Sequence, residues 1–99
     1  MTKEEVLSRL RSHFPVLSHR FGIAGLYLFG SVVRNEAEAS SDIDLLVDFH
    51  SGERIGLFRF IDLKDALEGI LGASVDLVTR DALKDRMIDS ILKEAVRAA

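Results

Sequence analysis

GSVVRNEAEASSDIDLLVDF, running from Gly30 to Phe49, opens with a Gly-Ser pair that ends one apolar run and closes inside another. The second run, Asp42–Phe49, sets Ile43, Leu45, Val47 and Phe49 against Asp42, Asp44, Leu46 and Asp48. That alternation has a period of two and predicts a β-strand. On such a strand Asp42 and Asp44 leave the same face, about 7 Å apart along the chain, while Ile43 points into the core. An unpaired buried charge costs several kcal/mol, so two carboxylates in a core strand require something to compensate them.

Working outward, Ala24–Phe29 (AGLYLF) is a short apolar run that reads as a buried strand ending at Gly30-Ser31. The Gly-Ser pair can start a short helix over roughly 31–38. Upstream, Thr2 and Glu5 form a capping-box pattern, followed by Val6, Leu7, Leu10 and Phe14 at helical spacing. This predicts a helix over Lys3–His13, stopped near Pro15, with a turn or irregular segment over 15–22. Downstream, residues 50–56 read as a loop. Leu57, Phe60, Leu63, Leu67 and Ile70 mark a helix ending before Gly72. Ser74–Thr79 (SVDLVT) reads as a third strand. Met87, Ile88, Ile91, Leu92 and Ala95 mark a final helix, preceded by a turn capped by Asp81. The expected order is α-β-α-β-α-β-α, a compact α/β (α+β) domain whose small mixed sheet has three main strands flanked by helices.

The bulk properties narrow the function classes. At 99 residues the chain is expected to be a single domain, residues 1–99. Its apolar and charged fractions, 47% and 29%, are ordinary for a soluble globular protein. A net charge of −3 does not resemble the basic stripe of a nucleic-acid binder, so direct nucleic-acid binding is not expected. No cysteine is present, which removes disulfides and thiolate metal sites. No apolar run approaches the ~18 residues of a membrane span, and MTKEEVLSRL is amphipathic, unlike a signal peptide. The expected location is the cytoplasm.

A third aspartate, Asp76, lies in VDLV of the third strand, with Val75 and Leu77 on its core side. If the two Asp-bearing strands are neighbours, Asp42, Asp44 and Asp76 can converge on one exposed face. Hard divalent cations such as Mg²⁺ take carboxylate oxygens. Two such ions, ~3.5–4 Å apart, serve phosphoryl and nucleotidyl transfer. Gly30 lets backbone approach a ligand closely, and Ser31 at a helix start offers a hydroxyl and a backbone N–H to an anion. Each feature has a blander reading. Gly-Ser pairs are common in turns, and a lone Asp at a strand end, as with Asp48, is usually solvated. Their combination is what points to chemistry.

Gly30-Ser31, ten residues, then Asp42-x-Asp44, followed by ASVDLVTRDAL, resembles the signature of the DNA polymerase β-type nucleotidyltransferase superfamily. The surrounding sequence resembles its smallest members, the minimal nucleotidyltransferase (MNT) domains, and the resemblance covers nearly the whole chain. One departure is Asn35, where many relatives carry Gly; Asn tolerates a left-handed backbone better than most residues. The resemblance implies a polymerase β-like nucleotidyltransferase fold and a metal-dependent enzyme. Asp42 and Asp44 would ligate two Mg²⁺ (or Mn²⁺) ions, and Asp76 the ion nearest the acceptor, helping to deprotonate its hydroxyl. Gly30 and Ser31 would hold the β- and γ-phosphates of ATP, with Arg34 reaching the triphosphate or bracing the aspartates. MNT proteins are commonly paired with a HEPN-domain toxin, and the MNT antitoxin can transfer AMP to a tyrosine of that partner. The implied function is therefore transfer of AMP, or another NMP, to a hydroxyl of a HEPN partner within a toxin–antitoxin module. Two alternatives stand beside it: a non-catalytic antitoxin acting by complex formation, and a small-molecule transferase of the aminoglycoside type. The chain is short for the latter, which would need its own acceptor domain.

The remaining polar residues read more plainly. His13, His19 and His50 lack ligand spacing and are expected at the surface. Tyr27 reads as wall or core. Arg80 and Lys84 read as a solvated face, with phosphate contact the sharper alternative, and Ser51–Arg54 as a plain connection. The final helix should pack on the domain, leaving part of its surface for a partner or for self-association into a homo-oligomer.

Overall fold

The computed structural model describes residues 1–34, 36, 42–53, 55–83 and 85–99. Helix α1 covers Lys3–Phe21, strand β1 Ile23–Phe29, strand β2 Ile43–Phe49, helix α2 Leu57–Leu71, strand β3 Val75–Thr79, helix α3 Asp85–Glu94 and strand β4 Val96–Arg97. Short 3₁₀ turns at Gly30–Val32 and Arg80–Ala82 follow β1 and β3.

The first helix starts as expected: Thr2 Oγ1 accepts the Glu5 N–H at 3.2 Å. It does not stop at Pro15. It runs eight residues beyond His13, and the segment 15–22 expected as a turn is helical to Phe21. A proline inside a helix removes one hydrogen bond and costs about 3 kcal/mol. Leu17 and Phe21 outweigh that cost, because they prolong the stripe Val6–Leu10–Phe14 and are 3% and 2% exposed; burying each is worth about 1.5–3 kcal/mol. The true stop is Gly22 in the left-handed region (φ 71°), its N–H donating to Ser18 O at 2.9 Å. Ser18 Oγ donates to Ile23 O at 2.7 Å, which ties the helix end directly to β1.

The sheet order is β3-β2-β1-β4. β2 pairs antiparallel with β1 and parallel with β3, the parallel link being the crossover through α2. The sheet is mixed and has the three expected main strands, with a fourth, two-residue strand added at the edge of β1. Val96–Arg97 pairs antiparallel with Tyr27–Leu28, and Ala98 N–H donates to Leu26 O at 2.8 Å. Two residues are too short for any periodicity, so only the available edge of β1 makes this a strand. Helices α1 and α2 cover one face of the sheet. Val6, Leu7 and Leu10 of α1 and Leu63, Leu67 and Leu71 of α2 meet Leu26, Leu28, Ile43, Leu45, Val47, Val75 and Leu77. The alternation on β2 is as read, save that β2 begins at Ile43, leaving Asp42 just ahead of it. Leu46 is fully buried although it belongs to the opposite face, between cross-strand partners Tyr27 and Val78. The helix expected over 31–38 is a single 3₁₀ turn through Val32; Asn35 and residues 37–41, like Arg54 and Lys84, lie outside the described residues.

Candidate active site

The face of the sheet turned away from α1 and α2 gathers the polar residues. Parallel register places Asp44 opposite Asp76, and antiparallel register places it opposite Phe29, the residue before Gly30. Residues in register share a face, so the Asp44 and Asp76 carboxylates lie side by side beside the Gly30 turn. Asp44 is half-buried, while Asp42 and Asp76 are exposed. Burial, then the charge of Asp76, then that of Asp42, push the Asp44 carboxyl above the usual carboxylate range; Arg34 pulls the other way.

Gly30 is what lets Asp44 stand there. Its φ is +79°, and a side chain at this position would overlap the Asp44 carboxylate. The strand-to-turn junction therefore permits no Cβ. Ser31 and Arg34 follow within the same turn, with Arg34 N–H donating to Gly30 O at 3.3 Å.

The structure thus brings Asp44, Asp76 and Gly30 together. Asp42 acts on Asp44 through its charge, but among the described residues no three His, Cys, Asp or Glu side chains form a ready ligand group. The donor chemistry suits a hard divalent ion: two adjacent carboxylates, one with its negative charge already disfavoured by burial and by the other, form a set that a cation neutralises.

One residue at this site was not singled out from sequence. Glu94, the last residue of α3, accepts the Gly30 N–H on Oε1 at 3.0 Å and two donations from Arg34 Nη1 at 2.9 Å. Arg34 Nε also donates to Glu36 at 3.1 Å. Hydrogen bonds from Arg34 and from the Gly30 amide hold the Glu94 carboxyl below its ordinary range. Glu94 lies 64 residues from Gly30, so no local pattern could have revealed it.

At the far end of β2 and β3, Arg80 pairs with Asp48 (Nη2–Oδ2 2.7 Å, Nε–Oδ1 3.0 Å), and its guanidinium lies 6.0 Å from the Tyr27 ring. Asp48 is therefore half-buried in an ion pair, not a solvated strand end as expected. A polar cavity of about 300 Å³ lies here, away from the aspartate pair. His13, His19 and His50 are exposed, although His19 sits in α1 and not in a loop.

With this geometry in place, the comparisons decide the family. A nucleotidyltransferase domain matches residues 7–98. The chain is 44% identical over 96 residues to the protein adenylyltransferase MntA of Thermococcus cleftensis, covering 97% of this chain and 95% of that one. The chain belongs to the nucleotidyltransferase domain family. It is a nucleotidyltransferase of mixed α/β architecture. A solved chain assigned as a minimal nucleotidyltransferase superposes with a TM-score of 0.72 at 38% identity, covering 97% of this chain and 95% of that one. The fold also matches a chain in the tri-AMPylated Shewanella oneidensis HEPN toxin in complex with MNT antitoxin. That match has a TM-score of 0.66 at 18% identity, over 94% of this chain and 71% of that one. Among the described residues, no helix is long and apolar enough to cross a membrane.

Proposed function

We propose that this nucleotidyltransferase moves AMP from ATP to a hydroxyl of a partner protein, and that the partner is the HEPN-type toxin of a two-component module in the cytoplasm. The observation that carries the reading is the Asp44–Asp76 pair packed against Gly30, in a chain 44% identical to a protein adenylyltransferase over nearly its whole length. Relatives of the same fold occur in toxin–antitoxin complexes, one of them with AMP-PNP.

In this reading Asp42, Asp44 and Asp76 hold divalent metal, Mg²⁺ being the natural ion for an all-carboxylate set. Bound there, metal supplies charge neutralisation for the triphosphate and activation of the acceptor oxygen. Gly30 N–H and Ser31 hold the β- and γ-phosphates, and Arg34 offers the cationic fork that suits phosphate oxygens. The acceptor oxygen forms a bond to the α-phosphorus, the α–β anhydride bond breaks, and pyrophosphate departs with its electron pair. The acceptor's proton passes to Asp76, the more exposed of the facing carboxylates. Pairing with β1 and β3 fixes the β2 backbone, which supports the Asp44–Asp76 register.

The test is to co-express the chain with the product of the adjacent gene, supply ATP and Mg²⁺, and weigh both proteins by intact mass spectrometry. Gain of one or more AMP units on the partner, absent with the Asp42→Asn/Asp44→Asn variant, is expected. A stable, protective complex with no mass gain would replace this reading with a binding-only antitoxin. Label appearing on an added aminoglycoside and not on protein would replace it with a small-molecule transferase.

A further inference from the structure

Resting on the phosphate site proposed above, we infer that Glu94 is an intramolecular plug: its carboxylate occupies the donors a triphosphate needs, and nucleotide enters by displacing it. Gly30 N–H and Arg34 Nη1 are both spent on this one side chain, at 3.0 and 2.9 Å. A carboxylate is the protein's nearest counterpart of a phosphate edge, planar with two acceptor oxygens matched to a guanidinium. It therefore competes with phosphate for the same backbone amide and the same cation.

The plug is delivered by the C-terminal end of the fold. Glu94 closes α3, with Ala95 alone between it and β4. β4 is fastened to the edge of β1, and beyond it Arg11 Nε donates to Ala98 O at 2.9 Å while Leu26 N–H donates to Ala99 O at 3.1 Å. Those bonds hold the backbone after Glu94 in place independently of its side chain. Nucleotide therefore needs only to swing the Glu94 side chain away, and that side chain is 30% exposed, with solvent to receive it. A contact that draws Glu94 off the site raises nucleotide affinity, and nucleotide raises the affinity of that contact by the same factor, because coupling is reciprocal. Glu94 sets how readily the site loads, and the chemistry belongs to the aspartates.

A purely structural Glu94, which braces Arg34 and the Gly30 turn for the ligand, makes the opposite forecast. Glu94→Gln keeps the shape and loses the charge; Glu94→Ala removes the plug. Titration calorimetry with ATP in Ca²⁺, and separately with inorganic tripolyphosphate and with adenosine, would be run on wild type and both variants, with circular dichroism confirming the fold. The expected result is about five- to tenfold tighter binding of ATP and tripolyphosphate to both variants, an exposed ion pair being replaced by the ligand's own. Adenosine, which has no phosphate, should bind all three proteins alike. Wild type binding ATP while both variants bind it equally or more weakly overturns the plug and leaves the phosphate site standing. No protein binding either triphosphate overturns both. If Glu94→Ala misfolds, Glu94→Gln decides alone.

Discussion

Gly30 and Asp44 occupy one another's space: the φ of +79° at Gly30 turns the chain so that any side chain there would meet the Asp44 carboxylate. Gly30→Ala must both hold a left-handed backbone, at about 1–2 kcal/mol, and push Asp44 out of line with Asp76. We expect a melting temperature lower by several degrees and transfer activity lower by more than tenfold. A variant with unchanged melting and unchanged transfer would show that the Gly30–Asp44 contact is not part of the machinery.

Asp44 carries a second forecast, about pH. Its carboxyl is held above the usual range in the folded protein, so the folded state binds this proton more tightly than the unfolded chain does. Stability from this group is therefore greatest below the unfolded carboxylate pKa. It falls as pH rises and is lost above the raised folded value. Asp44→Asn, which has no charge to lose, should melt about 2–4 °C higher than wild type at pH 7 without metal. The gap should close on acidification below the ordinary carboxylate pKa. The same variant should lose transfer. A lower melting point at pH 7 would mean that Asp44 is stabilised as an anion, against the combined effect of burial and of repulsion from Asp76 and Asp42.

Pro15 is tolerated inside α1 only because Leu17 and Phe21 anchor the helix beyond it. Pro15→Ala restores an N–H and removes a clash, at the expense of a looser unfolded chain. The net expectation is about 1–2 kcal/mol of added stability in urea unfolding, with transfer unchanged. Loss of stability would show that the proline shapes α1 in a way its neighbours need.

Arg80 is engaged with Asp48 at the end of the sheet far from Asp44 and Asp76. Its pair is partly exposed, so Arg80→Met should cost no more than about 1 kcal/mol. Transfer should stay within about twofold of wild type. A tenfold loss in transfer with normal stability would instead make Arg80 a phosphate ligand, the sharper of its two sequence readings.

Much of this was legible in sequence, and the misses have physical causes. Alternation found β2 and β3, and helical spacing found α2, because each buries one face; the spacing also found α3, whose apolar side chains are only partly covered. The boundary of α1 was misjudged because a local penalty at Pro15 was weighed without the packing of Leu17 and Phe21 beyond it. β4 was missed because two residues form a strand only when an edge is offered to them. Asp48 was misread because its partner Arg80 lies 32 residues away.

The sequence alone determined which groups exist for chemistry: Gly30-Ser31 at a strand end, carboxylates two apart on one strand, and a third flanked by Val75 and Leu77. Those follow from alternation and turn chemistry, which are local. The tertiary structure alone decided which groups meet. Parallel register set Asp44 beside Asp76, leaving Asp42 at the margin, and the docking of β4 carried Glu94 onto Gly30 and Arg34. Register and docking come from burying the whole core at once, so no short stretch of sequence contains them.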